Sequence, residues 1–372
     1  MLRINTLLAF TAAVQPLLAA PATNAALSKE GLRLVKTSES DPGQWVTEQE
    51  KFDRFTSQNI GFVDITDTRD QEVLSILSGE SSPQLITRAV IYPKGALHKD
   101  EGDQLLAKTS VEGPKSWLKT YSDFHTRNYM TSTGVQAANW LFSQVKSIAS
   151  NNSAITVKQF RHSSFNQRSI IAQLPGNSSD LVVVGAHLDS VTKTLNGRSP
   201  GAEDDGSGTV VILEALRVLA QSGLRPNNTI EFHWYAAEEA GLLGSADVWA
   251  NYKTSRKSVI SYLNQDMAGY SSSGTPAVYQ DYVSPALTRY VTTLIKEYLG
   301  ITPNTSSCGY ACSDHASARA NGFPAAFVAD DVFSNASPYI HSAEDTYDKI
   351  MWPTILTHAK IVVSYLVEAS YI

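Results

Sequence analysis

The chain has 372 residues, of which 42% are hydrophobic and 18% are charged, and its formal net charge at pH 7 is −6. It contains no dense run of Lys and Arg, which argues against a nucleic acid or an anionic membrane surface as its partner. The length suits one large globular domain preceded by shorter segments.

The first 20 residues have the pattern of a signal peptide. Arg3 gives a basic start, an apolar run covers residues 7–14, and small residues end the segment at Ala20. A membrane anchor is the alternative, but Gln15 and Pro16 break the run before it could cross ~30 Å of hydrocarbon. We therefore expect residues 1–20 to be removed and the chain to be secreted to the extracellular space.

Residues 21–85 are richer in charge and poorer in long apolar runs than the rest of the chain. After a signal peptide, this composition favours a propeptide, with a small binding domain as the alternative. The cut is predicted between residues 78 and 88, which leaves one large domain over residues 86–372, called the main domain below.

The remainder alternates between strand and helix patterns. Apolar residues at spacings of three and four predict helices over 116–130, 134–150, 208–223, 284–300 and 352–369. Ser284 and Pro285 are predicted to cap and begin the fourth helix. Alternating runs predict paired strands over 154–160 and 169–176, and near-continuous apolar runs predict buried strands over 180–187, 229–237 and 258–265. This order predicts an α/β fold with a single open, doubly wound, mostly parallel sheet flanked by helices.

Acidic and histidine residues follow these predicted strands. His187, Glu238, Glu239 and Asp266 stand at the carboxyl ends of apolar runs, where ligands bind in open α/β sheets. Asp204 precedes a predicted helix, and His341 lies in "SPYIHSAEDT". Taken singly, each residue has an ordinary structural explanation, such as a turn or a core histidine.

Taken together, these residues predict a two-metal hydrolase. Without Glu238 the set contains three carboxylates and two imidazoles, and carboxylates are costly to gather in one cleft without a counter-charge. Two divalent cations bring four positive charges, which one bridging hydroxide and three carboxylates balance. The chain lacks the H-E-x-x-H pattern of the thermolysin type.

Six motifs in register make the prediction specific. HLDS, PGAEDDGSG, AAEEAGLLGS, QDM, CGYACSDHAS and IHSAEDT occur in this order within residues 110–360. They resemble the M28 family of dizinc aminopeptidases, closest to the secreted leucine aminopeptidase type of fungi and bacteria. The resemblance implies the zinc-dependent exopeptidase fold and two Zn²⁺ per chain.

The resemblance also assigns roles to individual residues. Asp204 would bridge the two Zn²⁺, with His187 and Asp266 completing one site and Glu239 and His341 the other. Glu238 would be the general base for a zinc-activated hydroxide, Asp189 would orient the imidazole of His187, and Tyr310 would donate to the oxyanion. The peptide bond between Asp204 and Asp205 would be cis.

The implied activity is release of apolar, leucine-like residues from peptides with a free N-terminus. The resemblance places an apolar substrate pocket at Met267, Phe327, Phe333 and Ile340. Ala329 and Ala336 stand where relatives have aromatic residues, which predicts a roomier pocket and weakens any particular preference for leucine. No nucleic-acid or membrane partner is expected, and the protein is expected to be a monomer.

The two cysteines and the glycosylation motifs agree with secretion. Cys308 and Cys312 predict a disulfide closing a small loop, and a metal site with His315 is the alternative. N-x-S/T motifs predict glycosylation at Asn151, Asn177, Asn227, Asn304 and Asn335.

Other activities stay open at this point. A dipeptidase or carboxypeptidase would share the metal core, although the C-G-Y-A-C loop favours an aminopeptidase. A glutaminyl-cyclase-like enzyme commonly uses one zinc, and a non-catalytic binding relative is expected to have lost ligands. The complete residue set argues against both.

Overall fold

The structure is a computed structural model that describes residues 31–38, 40–68, 70–77, 90–194 and 196–372. The predicted signal peptide and the predicted cleavage region at 78–88 lie outside these residues. No helix among the described residues is long and apolar enough to cross a membrane.

The described part of the predicted propeptide is folded, and we call residues 31–77 the N-terminal segment. Its strands β1 (Arg33–Lys36), β2 (Gln44–Val46) and β3 (Val63–Asp64) form an antiparallel sheet in the order β2-β1-β3. It also contains helices α1 (Glu48–Arg54) and α2 (Gln71–Leu77). Thr47 and Glu50 begin α1 with a capping box, which satisfies two backbone N–H groups that a helix start leaves unpaired. A small apolar cluster holds the segment together: Val35, Val46, Phe55 and Phe62.

The main domain is built on an eight-stranded sheet in the order β10-β9-β11-β8-β6-β7-β5-β4. Its strands are β4 (Thr156–Phe160), β5 (Ser169–Leu174), β6 (Ser178–His187), β7 (Asn228–Tyr235), β8 (Val259–Gln265), β9 (Ala277–Tyr279), β10 (Asn304–Ser306) and β11 (Ala325–Ala329). The central pairs β6–β7, β6–β8 and β8–β11 are parallel, as is β9–β10. The pairs β4–β5, β5–β7 and β9–β11 are antiparallel. The prediction of a mostly parallel open sheet is confirmed.

Helices cover both faces of this sheet. They are α3 (Lys99–Leu106), α4 (Glu112–Tyr121), α5 (Ser132–Ala149), α6 (Gly206–Ser222), α7 (Leu243–Thr254), α8 (Pro285–Leu299), α9 (His315–Ala320) and α10 (Trp352–Ala369). Gly223 and Gly300 end α6 and α8 in the left-handed conformation that glycine adopts without strain, as the sequence predicts. Ser284 is the N-cap residue of α8 and Pro285 its first residue, as predicted, although the Ser284 side chain makes no cap hydrogen bond.

The helix predicted over 116–130 is wrong at its C-terminal end, because α4 stops at Tyr121. The chain then turns inward and buries Arg127. Its guanidinium donates to the carbonyl oxygens of Leu188 (3.1 Å) and Gly201 (2.9 Å), which belong to loops beside the sheet edge. A continued helix would carry Arg127 away from these carbonyls.

The core explains why the sheet edge is rigid. On one face, α6 and α10 pack against each other and against β6, and nearly all of α6 is buried. On the other face, Trp249 and Tyr252 of α7 pack with Tyr262 and Phe323. Each fully buried apolar side chain of this kind contributes about 1.5–3 kcal/mol relative to exposure. The carboxyl ends of β6, β7 and β8 are therefore held side by side.

Candidate metal centre and catalytic site

The three central strands deliver ligand-type side chains to one edge. His187 is the last residue of β6, Asp266 follows β8 directly, and Glu238 and Glu239 follow β7 after a short turn. Asp204 comes from the loop that enters α6, and His341 from the loop after β11. The structure thus brings together all five predicted metal ligands and the predicted base.

The five ligand-type residues form two groups that share Asp204. In the inner group, His187 Nε2 lies 3.0 Å from Asp204 Oδ1 and 3.6 Å from Asp266 Oδ1. In the outer group, His341 Nε2 lies 2.9 Å from Asp204 Oδ2 and 2.9 Å from Glu239 Oε2. The candidate ligand atoms within each group all lie within 4.8 Å of one another. Asp204 offers one oxygen to each group, as a bridging carboxylate would.

The donor chemistry of both groups fits a divalent cation. Among the described residues, Asp204, Glu239 and Asp266 have no Lys or Arg in an ion pair and face the two histidines instead. Glu239 Oε1 is buried and has no hydrogen-bond partner among them. Burial and the charge of Asp204 raise the pKa of Glu239 to about 7. Imidazole nitrogen with carboxylate oxygen is a set that Zn²⁺ accepts.

Glu238 lies beside the inner group without belonging to it. Its Oε2 is 4.0 Å from His187 Nε2, and burial raises the pKa of its carboxyl well above the ordinary value. Asp189 fixes the turn that separates the two glutamates, because Oδ1 accepts from Glu238 N (2.9 Å) and Oδ2 from Glu239 N (3.2 Å). Asp189 Oδ1 also lies 3.5 Å from His187 Nδ1, on the side predicted for an orienting carboxylate.

The comparisons with known proteins agree with this geometry. The family model for peptidase family M28 matches residues 169–366, which span β5 to α10. The chain belongs to peptidase family M28. It is therefore a member of a metal-dependent family of peptide hydrolases.

Fungal relatives match this M28 peptidase over most of its length. "Leucine aminopeptidase 1" of Arthroderma otae is 41% identical over 346 residues, covering 88% of this chain and 90% of the relative. "Leucine aminopeptidase 1" of Paracoccidioides brasiliensis is also 41% identical, covering 88% and 87%. Among solved structures, the LapA aminopeptidase of Legionella pneumophila has a TM-score of 0.80 at 26% identity and covers 92% of this chain and 98% of its own.

Two aspartates with no predicted role, Asp205 and Asp345, stabilise the backbone around the site of the M28 peptidase. Asp205 accepts from the backbone N–H of His187 (3.1 Å), Gly208 (2.9 Å) and Met267 (3.1 Å), so it joins the ends of β6, α6 and β8. Its place just before the Gly206 helix start is a sequence signal for a capping residue.

Asp345 is the second of these aspartates. It accepts from the backbone N–H of Glu203 (2.9 Å) and Asp204 (3.1 Å) and so holds the loop that carries the shared carboxylate. Nothing in its local sequence signals this role, since its partners lie about 140 residues away in the chain.

Strained backbone also gathers at this site. Ala237, Met267 and His341 adopt the left-handed region with φ of 55°, 58° and 54°, although none is glycine. Such residues cost of order 1–3 kcal/mol each and persist where the surroundings enforce them. All three adjoin or supply a ligand-type side chain. The peptide bond between Asp204 and Asp205 is cis, as the resemblance implies.

The predicted disulfide between Cys308 and Cys312 is present, which removes the alternative of a metal site with these cysteines. His315 is buried and stacked on Phe327 with a ring-centroid separation of 4.7 Å. Asp281 supports the disulfide loop, because Oδ2 accepts from the backbone N–H of Cys308 (2.8 Å) and Gly309 (2.7 Å). Tyr310, inside this loop, lines the same cavity as the metal-ligand candidates.

An apolar pocket adjoins the two groups. The four predicted pocket residues line one cavity of about 110 Å³ together with Asp204, Glu239 and His341: Met267, Phe327, Phe333 and Ile340. Tyr279 lines it as well and was missed, because the three-residue strand β9 has no clear sequence signal. Ala329 packs in the cluster behind Tyr279 and Phe327.

The N-terminal segment covers this cavity. Asn59 Oδ1 lies 2.6 Å from His341 Nδ1, and Ile60 lines the cavity mouth. Gly61 passes so close to Tyr310 that a β-carbon there would overlap the phenol hydroxyl. The N-terminal segment therefore occupies the mouth of the cavity.

Proposed function

We propose that this M28 peptidase is a secreted aminopeptidase that uses two Zn²⁺ to release apolar residues from peptide N-termini. The observation that carries the proposal is Asp204, whose two carboxylate oxygens face His187 and His341 at 3.0 and 2.9 Å beside a pocket with apolar walls. The names of the fungal relatives support the aminopeptidase activity. His187, Asp204 and Asp266 would hold one ion, and Asp204, Glu239 and His341 the other.

Glu238 is the general base in this proposal. Bound divalent cations polarise the scissile carbonyl and lower the pKa of the attacking water. Glu238 accepts the proton of that water and passes it to the leaving amine, a role worth about 10²–10⁴ in rate. The backbone bonds from Glu238 and Glu239 to Asp189 keep the two neighbouring carboxylates in separate roles.

Tyr310 and the apolar pocket complete the reaction. The Tyr310 hydroxyl would donate to the oxygen that gains charge as the carbonyl is attacked. Met267, Phe327, Phe333 and Ile340 would receive the side chain of the N-terminal residue. Apolar walls discriminate by only about 1–3 kcal/mol per methylene, so several apolar residues should be accepted.

The test of this function uses two forms of one substrate. The full chain, cleaved in the 78–88 region, is assayed on leucine 4-nitroanilide and on the same compound acetylated on its amine. We expect cleavage of the free-amine form alone, loss of that activity with a chelator, and recovery with Zn²⁺. Equal cleavage of both forms would indicate a different peptidase specificity. No cleavage of either would overturn the proposal in favour of a cyclase or a binding protein.

We further propose that residues 21–85 are a propeptide that keeps the enzyme latent. The contacts of Asn59 with His341 and of Gly61 with Tyr310 support this function, because both partners belong to the proposed catalytic site. A second contact region anchors the segment: Val63, Ile65, Val73, Ile76 and Leu77 pack with Leu242, Ala311, Ala316 and Ala320.

A buried charge cluster adds to this anchor. Asp64 Oδ2 lies 2.7 Å from Arg33 Nε and 3.2 Å from Lys51 Nζ. Lys51 Nζ also donates to the carbonyl oxygen of Ala240 (3.4 Å), and Asp64 N donates to that of Gly241 (3.1 Å). These bonds tie the N-terminal segment to the turn that follows Glu239.

Secretion and glycosylation belong to the same proposal. All five predicted glycosylation sites are exposed, so the fold leaves each of them accessible to a transferase: Asn151, Asn177, Asn227, Asn304 and Asn335. Mass spectrometry of the secreted protein before and after glycosidase treatment would test them. A monomer remains our expectation and is tested by the mass in solution.

A further inference from the structure

A second groove begins where the apolar pocket ends. Val191 and Glu239 line both cavities, and the second one, of about 200 Å³, leads away from the metal-ligand candidates. None of the four predicted pocket residues lines it. The proposed metal centre therefore lies between an apolar pocket on one side and this groove on the other.

Beyond Glu239, the wall opposite the N-terminal segment has uncharged side chains among the described residues. They include Asn128, Tyr129, Met130, Thr192, Thr194 and Asn196. Amide and hydroxyl groups can bond a peptide backbone, while Met130 offers apolar surface and is 68% exposed. This composition suits a peptide with neutral side chains.

The opposite wall is formed by the N-terminal segment. Glu48, Lys51 and Phe52 of α1, together with Phe62, close the groove from the side of the N-terminal segment. In the full chain, the N-terminal segment thus covers this surface. Removal of the segment would expose the groove, beginning at Glu239.

We propose that this groove binds the one or two residues that follow the scissile bond of the substrate. The proposal rests on the aminopeptidase function above. If the N-terminal side chain fills the apolar pocket, the rest of the peptide has to leave the metal centre along another path, and the groove is continuous with it at Glu239 and Val191. Once the N-terminal segment with Lys51 is removed, the groove would favour neutral residues in those positions over acidic ones, because Glu239 is then the charged residue among its described lining residues.

The test exchanges the charge of the groove while the reaction centre stays unchanged. Thr194 is exposed and lines the groove, so Thr194→Lys and Thr194→Glu form a matched pair. The full chain carrying each variant is cleaved in the 78–88 region and assayed on Leu-Glu-Ala, Leu-Lys-Ala and leucine 4-nitroanilide. We expect the ratio of kcat/KM for Leu-Glu-Ala over Leu-Lys-Ala to differ about fivefold or more between the variants. The anilide, whose leaving group beyond the scissile bond carries no charge, should change less than about twofold in kcat/KM.

A second variant tests the apolar surface. Met130→Ser should lower the ratio of kcat/KM for Leu-Phe-Ala over Leu-Lys-Ala about fivefold, mainly through KM for Leu-Phe-Ala. Leu97→Ser is the control, since Leu97 is 70% exposed and lies outside both cavities. Peptide substrates that change in parallel, or not at all, would overturn the groove proposal while the aminopeptidase function stands. A wild-type enzyme inactive on the anilide would instead overturn the function on which the proposal rests.

Discussion

The two groups of the metal centre differ most in their histidines, because His187 of the inner group is enclosed, whereas His341 of the outer group is reached from the cavity. The side chains of His187 and Asp266 are 1% and 9% exposed, and that of His341 is 25% exposed. His187 is part of a buried strand, and Asp266 accepts a hydrogen bond from the buried Ser313 (2.5 Å). His341 comes from a loop, and its second ring nitrogen faces Asn59 of the N-terminal segment.

This difference indicates a division of labour. Among the described residues, no hydrogen bond or ion pair joins the inner group to the N-terminal segment, whereas His341 of the outer group lies 2.6 Å from Asn59. In the function proposed above, the inner group therefore sets the geometry, and the outer group receives the substrate once the N-terminal segment has left.

The most damaging single change should be one that both groups share. Asp204→Ala removes a ligand from each proposed ion and leaves two histidines facing an empty space. We expect activity to fall by at least about 10⁴ and the metal content to drop well below two ions per chain. Metal analysis of the purified variant beside its kcat measures both effects. If one ion remains bound at full occupancy, one of the two groups can bind its ion without the shared carboxylate of Asp204.

Much of this site could be predicted from the sequence, because its residues stand at the ends of predicted strands. Buried strands are legible as short apolar runs, and the carboxyl ends of parallel neighbours meet at one edge. His187, Glu239 and Asp266 could therefore be placed together before any coordinates. Helix α10 could also be predicted from its apolar pattern, since its predicted and observed bounds agree at 352–369.

What the sequence could not provide depends on contacts between distant segments. Asp345 and Asp281 act by accepting backbone N–H groups from loops far away in the chain, and an aspartate in a loop has many ordinary explanations. The strands β9 and β10 have three residues each and exist through pairing with their neighbours. The three-stranded sheet of the N-terminal segment was not predicted, because the polar composition of this segment gives no clear strand pattern.

Glu238 lies beside the inner group and should affect catalysis alone. In Glu238→Gln the carboxylate base is lost, while Asp189 can still accept from the backbone N–H of residues 238 and 239. We expect kcat to fall about 10²–10⁴-fold with metal content and thermal stability unchanged.

The matched control for this change is Glu239→Gln, which alters the neighbouring carboxylate in the outer group. It should reduce metal content as well as kcat. A Glu238→Gln enzyme that keeps near-normal kcat would assign the base role elsewhere.

The anchor of the N-terminal segment should control access to the outer group. Burial alone would raise the pKa of Asp64, but the charges of Lys51 and Arg33 outweigh it and hold that pKa below its ordinary value. Because the folded pKa is lowered, the stabilisation is present above the unfolded value of about 3.9 and is lost as the pH falls through the lowered value. Latency should therefore hold across pH 5–8.

Asp64→Asn removes the negative charge that pairs with Lys51 and Arg33. We expect the uncleaved full chain to gain about tenfold in anilide hydrolysis at pH 7 and to become easier to digest within residues 31–77. Asp67→Asn is the control, because Asp67 also pairs with Arg33 but its side chain is 59% exposed, so its effect should be near twofold or less. Equal effects of the two variants would mean that the buried cluster does not hold the segment.

The smallest effect should come from Asp281, which supports the open side of the site without touching its ligands. Its carboxylate accepts two backbone N–H groups of the loop that carries Tyr310, and the disulfide constrains the same loop. Asp281→Ala should leave the loop closed by the disulfide but let Tyr310 move, lowering kcat about three- to tenfold with little change in KM or metal content. Asp281→Asn keeps one acceptor oxygen and should recover part of the loss. If mild reductant lowers the activity of Asp281→Ala no more than that of the wild type, the carboxylate and the disulfide do not share the task of positioning Tyr310.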